Sequence, residues 1–102
     1  MNMHNDIRQM YSEYNQESGR IFFRLFNEFR EEADKLERKG NENLFQLLRA
    51  KYTALLKEKL ERSATLLIDQ CTTTESQGRL RISVTEMMRY LLKEFTRKSA
   101  AL

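Results

Sequence analysis

The 102-residue sequence contains no proline, no tryptophan, three glycines, one histidine and a single cysteine. Without proline and with so little glycine, long stretches of the chain carry no helix breaker. Cys71 alone excludes an internal disulfide and is typical of a reducing compartment. Apolar runs never exceed three residues, so we expect no membrane span and no signal region. These absences predict a helical, cytoplasmic protein.

The remaining composition predicts one domain over residues 1–102. Hydrophobic residues make up 40% of the chain and charged residues 32%. This balance is too apolar for a disordered tail and too charged for an integral membrane protein. A chain of this length builds one hydrophobic core, which excludes a second domain of comparable size.

Helical spacing of apolar residues predicts four helices, at about 6–16, 19–39, 43–70 and 83–98. Ser18 and Gly19 separate the first two, and the threonine-rich segment 72–80 is expected to be a connection. Ser83 and Glu86 have the spacing of a capping box and predict the start of the last helix. The sequence therefore predicts an all-α fold, a four-helix bundle-like domain with one long central helix.

The core of this domain is predicted from the apolar stripes of the last three helices. Three phenylalanines at helical spacing bring the largest apolar area to it. The predicted core residues are Phe22, Phe26, Phe29, Leu48, Tyr52, Leu55, Leu60, Met88, Leu91 and Phe95.

The helix predicted over 43–70 is the basis for expecting an oligomer. At 1.5 Å per residue it spans about 42 Å, whereas a compact domain of this size has a radius of gyration of about 13 Å. Its apolar stripe continues to the far end, so we expect a second subunit or a larger complex to cover it. A monomer with a protruding helix is the alternative. The predicted interface residues are Phe23, Ala64, Leu66, Leu67, Ile68 and Cys71.

The net charge of +3 is concentrated in the last quarter of the chain. Residues 1–75 carry 12 basic and 13 acidic residues, and residues 76–102 carry six basic and two acidic ones. This excess predicts contact with an acidic partner or with nucleic acid. The alternative is a solvated face whose charge suits a helix C-terminus. The predicted contact residues are Arg79, Arg81, Arg89, Lys93 and Arg97.

No pattern in the sequence points to catalysis. His4 is the only histidine and stands without partners, and Cys71 is more typical of a small buried hydrophobe. The chain has no C-x-x-C, no H-E-x-x-H and no glycine-rich phosphate-binding loop. We therefore predict a protein that is not an enzyme and that uses no metal and no cofactor.

Three motifs occur in a recognisable order. Residues 22–29 read FFRLFNEF, residues 59–67 read KLERSATLL at the end of the long helix, and residues 82–92 read ISVTEMMRYLL. This order resembles the helical domain of GINS subunits, particularly those of archaea. The resemblance implies a non-enzymatic, tetrameric scaffold that bridges the replicative helicase to other proteins of DNA replication.

The residues by themselves leave a second function open. The chain is then a small homodimeric helical regulator or adaptor that binds a partner protein or nucleic acid through its basic C-terminal helix. A steep dependence of binding on salt would indicate nucleic acid, because phosphate contacts release counterions.

Overall fold

The structure, a computed structural model, describes residues 7–36 and 40–102, most of which lie in three helices of nearly equal length. α1 spans Ile7–Asp34, α2 spans Glu42–Ile68 and α3 spans Thr74–Ala100. The described residues include no strand, which confirms the predicted all-α class. None of these three helices combines the length and apolarity that a bilayer-spanning segment needs.

The three helices alternate in direction along the chain. Phe29, near the end of α1, packs on Phe45 at the start of α2, with ring centroids 5.8 Å apart. Phe29 also packs on Phe95, near the end of α3, at 5.5 Å. α2 is therefore antiparallel to α1, and α3 is parallel to α1. Each helix contacts both others, and the principal extents are 58 × 18 × 17 Å.

The predicted separation of the first two helices is wrong, because α1 continues through Ser18 and Gly19. Ser18 is fully buried, and its hydroxyl donates a hydrogen bond to the carbonyl oxygen of Asn15 at 3.1 Å. One interior glycine costs a helix only about 1 kcal/mol relative to alanine. The buried stripe runs without a gap across it, and its burial outweighs that cost. The stripe comprises Met10, Tyr14, Ser18, Ile21, Leu25, Phe29 and Ala33.

The predicted outer bounds of these two helices, 6 and 39, lie outside the described residues. Among the described residues, α1 begins at Ile7 and ends at Asp34, so the predicted helix extends too far by at least Lys35 and Leu36. The predicted helix over 43–70 agrees with α2 to within two residues at each end.

The predicted connection over 72–80 holds only for residues 72 and 73, and the predicted helix start at Ser83 is wrong. The N-cap of α3 is Thr73, whose hydroxyl accepts a hydrogen bond from the backbone N–H of Ser76 at 3.0 Å. Thr73 therefore satisfies one of the N–H groups that a helix start leaves without a partner.

The residues between Thr73 and Ser83 are helical because they carry part of the core. Leu80 is fully buried and Val84 is 1% exposed, and both continue the buried stripe of Leu91 and Phe95. Tertiary burial of this stripe overrides the weak helix propensity of Thr74 and Gly78 in the segment.

α2 is not the one long central helix that the sequence predicts. It has 27 residues, as α3 does, and α1 has 28. Because the other two helices are as long, they cover Ala64 and Ile68 at the far end of α2. The length of α2 therefore gives no reason to expect an oligomer, and the oligomeric state stays a prediction.

Two apolar clusters fill the interior of the described part of the chain. The first joins the C-terminal halves of α1 and α3 to the first two thirds of α2, and the second occupies the other end of the molecule. Of the predicted core, Phe29, Tyr52, Leu60, Leu91 and Phe95 are buried. The others are partly buried and pack against the first cluster, namely Phe22, Phe26, Leu48, Leu55 and Met88.

Candidate functional site

The candidate sites of this molecule are binding surfaces formed by exposed side chains. They are not pockets of grouped acidic, histidine or cysteine residues. Within residues 7–36 and 40–102, no three His, Cys, Asp or Glu side chains are grouped as metal ligands would be. Cys71 is buried in the second apolar cluster, where its Sγ lies 3.9 Å from Sδ of Met10. Two surfaces built from the described residues combine at least three basic side chains with exposed apolar ones, one on α3 and one between α1 and α2.

The first surface, here the α3 face, is the side of α3 turned away from the other two helices. Most of its members are separated by three, four or seven residues, which aligns them along one side of a helix. The buried residues Leu80, Val84, Leu91 and Phe95 lie on the opposite side. The α3 face consists of Arg79, Ile82, Glu86, Arg89, Tyr90, Lys93 and Arg97.

The cations of the α3 face are only partly neutralised. Arg79 pairs with Glu75 at 3.6 Å, and Arg97 pairs with Glu94 at 2.6 Å. Both arginines keep about two thirds of their side-chain surface exposed, with values of 70% and 68%. Arg89 and Lys93 make no ion pair with any described residue. Two exposed cations are therefore available to an anionic partner.

Arg81 does not belong to the α3 face, although the sequence groups it with the other basic residues. It follows Arg79 by two residues, which turns it to another side of the helix. The structure thus brings four of the five predicted contact residues together and separates the fifth.

Two exposed apolar side chains complete the α3 face, and the sequence analysis misses both as contact residues. Ile82 is 65% exposed and Tyr90 is 57% exposed. A signal for them exists, because both positions fall outside the register of Leu80, Val84 and Leu91. For Ile82 that signal becomes readable only when α3 is known to begin before residue 80, whereas Tyr90 already lies within the helix predicted over 83–98.

A small groove extends the α3 face towards α1. Tyr90 and Arg97 line it together with Phe22, and its volume is about 240 Å³. The ammonium group of Lys98 lies 5.7 Å from the centre of the Phe22 ring, within the range of a cation–π contact. This groove adds aromatic surface beside the basic residues.

The second surface is a groove between α1 and α2, here the α1–α2 groove, with a volume of about 360 Å³. It forms because the two helices run antiparallel, which sets residues 17–24 beside residues 59–66. The lining residues are Glu17, Ile21, Arg24, Lys59, Arg62, Ser63 and Leu66. No sequence signal locates this groove, because it depends on the register between two helices.

Of the predicted interface residues, the structure leaves two on the surface. Phe23 is 70% exposed, and Leu66 is 62% exposed and lines the α1–α2 groove. Ala64, Ile68 and Cys71 are buried against α1 and α3, so they do not face a partner as predicted. The reason is the length of α1 and α3, which reach the end of α2. Leu67 is half-buried and packs on the same cluster.

Two buried tyrosines belong to the packing and not to either surface. The Tyr14 hydroxyl donates a hydrogen bond to the carbonyl oxygen of Leu60 at 3.3 Å. Burial raises the pKa of Tyr14, and the nearby Glu61 carboxylate raises it further. Burial also raises the pKa of Tyr52, with a smaller contribution from Glu32, which accepts its hydrogen bond. Both hydroxyls are therefore protonated at neutral pH.

Comparison of the chain with protein-family models, curated proteins and solved structures finds no match.

Proposed function

We propose that this protein is a non-enzymatic adaptor whose α3 face binds an acidic segment of a partner protein. The observation that carries the proposal is the exposure of Ile82 and Tyr90 among four basic side chains on one side of α3. Interfaces combine a desolvated apolar or aromatic centre with a charged rim. A helical segment with apolar residues on one stripe and carboxylates beside it fits this pattern.

The charges of the α3 face support a protein partner over nucleic acid. Glu86 lies between Arg79 and Lys93 on the same side of α3, seven residues from each, and is exposed. Its carboxylate would repel a continuous row of phosphates, whereas a protein segment can place its own carboxylates away from it. Glu75 and Glu94 already neutralise part of the positive charge.

A narrower form of the proposal is a subunit of a GINS-type replication scaffold. The motif order at residues 22–29, 59–67 and 82–92 supports this form. The third motif contributes Ile82, Arg89 and Tyr90 to the α3 face. The test is binding of the purified protein to the replicative helicase of its own source, together with its mass in sedimentation. A monomer that does not bind the helicase would remove the replication role and leave the adaptor.

The adaptor proposal is tested by selecting helical peptides from a display library on the wild-type protein. We expect the selected peptides to carry apolar residues at helical spacing, with Asp and Glu at the positions beside that stripe. Their affinity should fall by about tenfold, or 1.4 kcal/mol, in the double variant R89E/K93E, and it should also fall in I82E. The control is R30E/K57E, which changes the net charge by the same amount at exposed positions outside both surfaces.

Two results would count against the adaptor. Selected peptides without acidic residues, or equal binding to R89E/K93E and to wild type, would exclude the α3 face as its site. Duplex DNA that binds with a steep salt dependence and is lost in R89E/K93E would instead indicate a nucleic-acid partner.

A further inference from the structure

We infer that the α1–α2 groove is a second docking site, which takes another acidic protein segment and allows the adaptor to hold two partners at once. The site itself rests on the groove alone, and only the bridging role rests on the proposed function of the α3 face. Its occupant is inferred from the charge, the apolar surface and the openness of the groove.

The groove and the α3 face point in opposite directions. Each of the three helices contacts both others, so the groove between α1 and α2 lies on the side away from α3. The two smaller extents of the molecule are 18 and 17 Å. Two segments bound at these surfaces would therefore be separated by the thickness of the domain and would not collide.

The charge of the groove selects an anionic partner. Arg24 and Lys59 line it and make no ion pair with any residue of the described chain. Arg62 pairs with Glu58 at 2.9 Å, but both side chains are more than half exposed. Exposed pairs of this kind contribute little, so Arg62 can exchange Glu58 for a partner carboxylate at small cost. Three cations are thus available around one groove.

The apolar surface of the groove selects a partner that also carries apolar side chains. Ile21 is 6% exposed, and Leu66 beside it is 62% exposed. A partner side chain placed on Leu66 would remove apolar area from water, worth about 25 cal/mol per Å². Cations beside exposed leucine match a segment that presents carboxylates beside leucine or phenylalanine.

The open shape of the groove favours a protein segment over a small molecule or nucleic acid. A small-molecule site usually buries most of its ligand, whereas the wall formed by Leu66 is mostly exposed. None of the described residues that line the groove is aromatic, so bases would find no ring there to stack on. Glu17 and Glu58 would repel a row of phosphates, and a peptide can avoid both.

The experiment is a titration of the ¹⁵N-labelled protein, followed by NMR, with a 20-residue amphipathic peptide of Glu, Leu and Ala. The same peptide with Lys in place of Glu is the probe control. We expect amide shifts in residues 17–24 and 59–66 and a separate set in residues 79–97, with two peptides bound per chain by native mass spectrometry. The Lys peptide should produce neither set.

Charge-reversal variants assign each set of shifts to its surface. In R24E/K59E, binding at the groove should weaken at least about tenfold, while the shifts in residues 79–97 persist. R89E/K93E should give the reverse, and R30E/K57E should retain both sets. The milder R24Q/K59Q, with helicity checked by circular dichroism, replaces R24E/K59E if that variant does not fold.

The outcomes separate the two proposals. Absent shifts in the groove, or groove shifts that persist in R24E/K59E, would overturn the second site and leave the adaptor. Groove shifts without shifts in residues 79–97 would overturn the α3 face and leave the groove. One peptide per chain with both sets of shifts would show that the surfaces compete, which excludes bridging.

Discussion

Arg49 of α2 is bound directly to Ser99 in the last turn of α3. Its Nε donates a hydrogen bond to Oγ of Ser99 at 3.0 Å, and its Nη2 donates to the carbonyl oxygen of Thr96 at 3.1 Å. The last carbonyl groups of a helix lack partners within the helix and form the negative end of its dipole. The Thr96 carbonyl also accepts a hydrogen bond from the Ser99 hydroxyl at 3.2 Å. The guanidinium at this negative end fixes the start of α2 against the end of α3.

Replacing Arg49 should therefore destabilise the protein. We expect R49A to lower the free energy of unfolding by about 1–3 kcal/mol, as for hydrogen bonds that involve a charged group. R49K should recover only part of this, because one ammonium lacks the fork of donors that reaches both acceptors. Urea unfolding measures the difference. R30A is the control, since Arg30 contacts Asn27 on its own helix, and equal losses in both variants would contradict the role of Arg49.

Stability should fall above about pH 10 because the pKa of Tyr14 is raised in the folded state. Above that pH the unfolded chain loses the phenolic proton while the folded chain keeps it. The stabilisation is thus complete below pH 10 and decreases as pH rises, by at most about 1.4 kcal/mol per pH unit for one tyrosine.

The variant Y14F should reduce this alkaline slope in urea unfolding between pH 9 and 11, and the remainder should come from Tyr52, whose pKa is raised as well. It should also cost about 1 kcal/mol at neutral pH, through the lost hydrogen bond to Leu60. Y90F is the matched control, because Tyr90 is exposed on α3. If both variants keep the slope of the wild type, Tyr14 is not responsible for it.

The three glycines should respond to alanine in opposite ways. A Cβ added to Gly19 or Gly78 meets nothing within 4 Å, and both positions are helical. G19A and G78A should each stabilise the protein by about 0.5–1 kcal/mol. Gly40 has a φ of 94°, which L side chains rarely adopt, so G40A should destabilise it. Thermal unfolding compares the three variants, and a loss of stability in G19A would argue against a continuous α1.

The start of α3 can be located by removing two hydroxyl groups in separate variants. T73A should cost about 0.5–2 kcal/mol, because the Thr73 hydroxyl caps the helix. S83A should have little effect, since Ser83 lies inside α3. Circular dichroism with urea unfolding measures both. A larger loss of stability in S83A than in T73A would indicate a capping box at Ser83 and a separate connection over 72–80.

The helical class and the position of α2 are the parts of the fold that local pattern could predict. Apolar residues at helical spacing, without proline, leave little alternative to a helix over residues 43–70. The basic excess after residue 76 is likewise a property of composition. This excess predicted four basic residues of the α3 face as contact residues, but it did not show that they lie on one side of the helix.

The helix boundaries could not be predicted because local signals there differ by only about 1 kcal/mol. Gly19 and the threonines before Leu80 each favour a break by about that amount. Burial of Ser18 and Leu80 against neighbouring helices makes α1 continue through Gly19 and α3 begin before Leu80. This burial cannot be inferred until the three helices are placed together. The same limit applies to Phe45, which is buried although it is not among the core residues predicted from the sequence.

The sequence by itself determined that the chain is helical, that apolar stripes follow most of its length and that positive charge gathers near its end. Only the tertiary structure decided that the described residues form three helices of matching length, so that Ala64 and Ile68 are covered from within. It also decided that Arg24 and Lys59 share one groove and that Ile82 and Tyr90 stay exposed. The physical reason is that helical periodicity fixes which residues share a side, whereas the rotation and register of packed helices fix which side meets water.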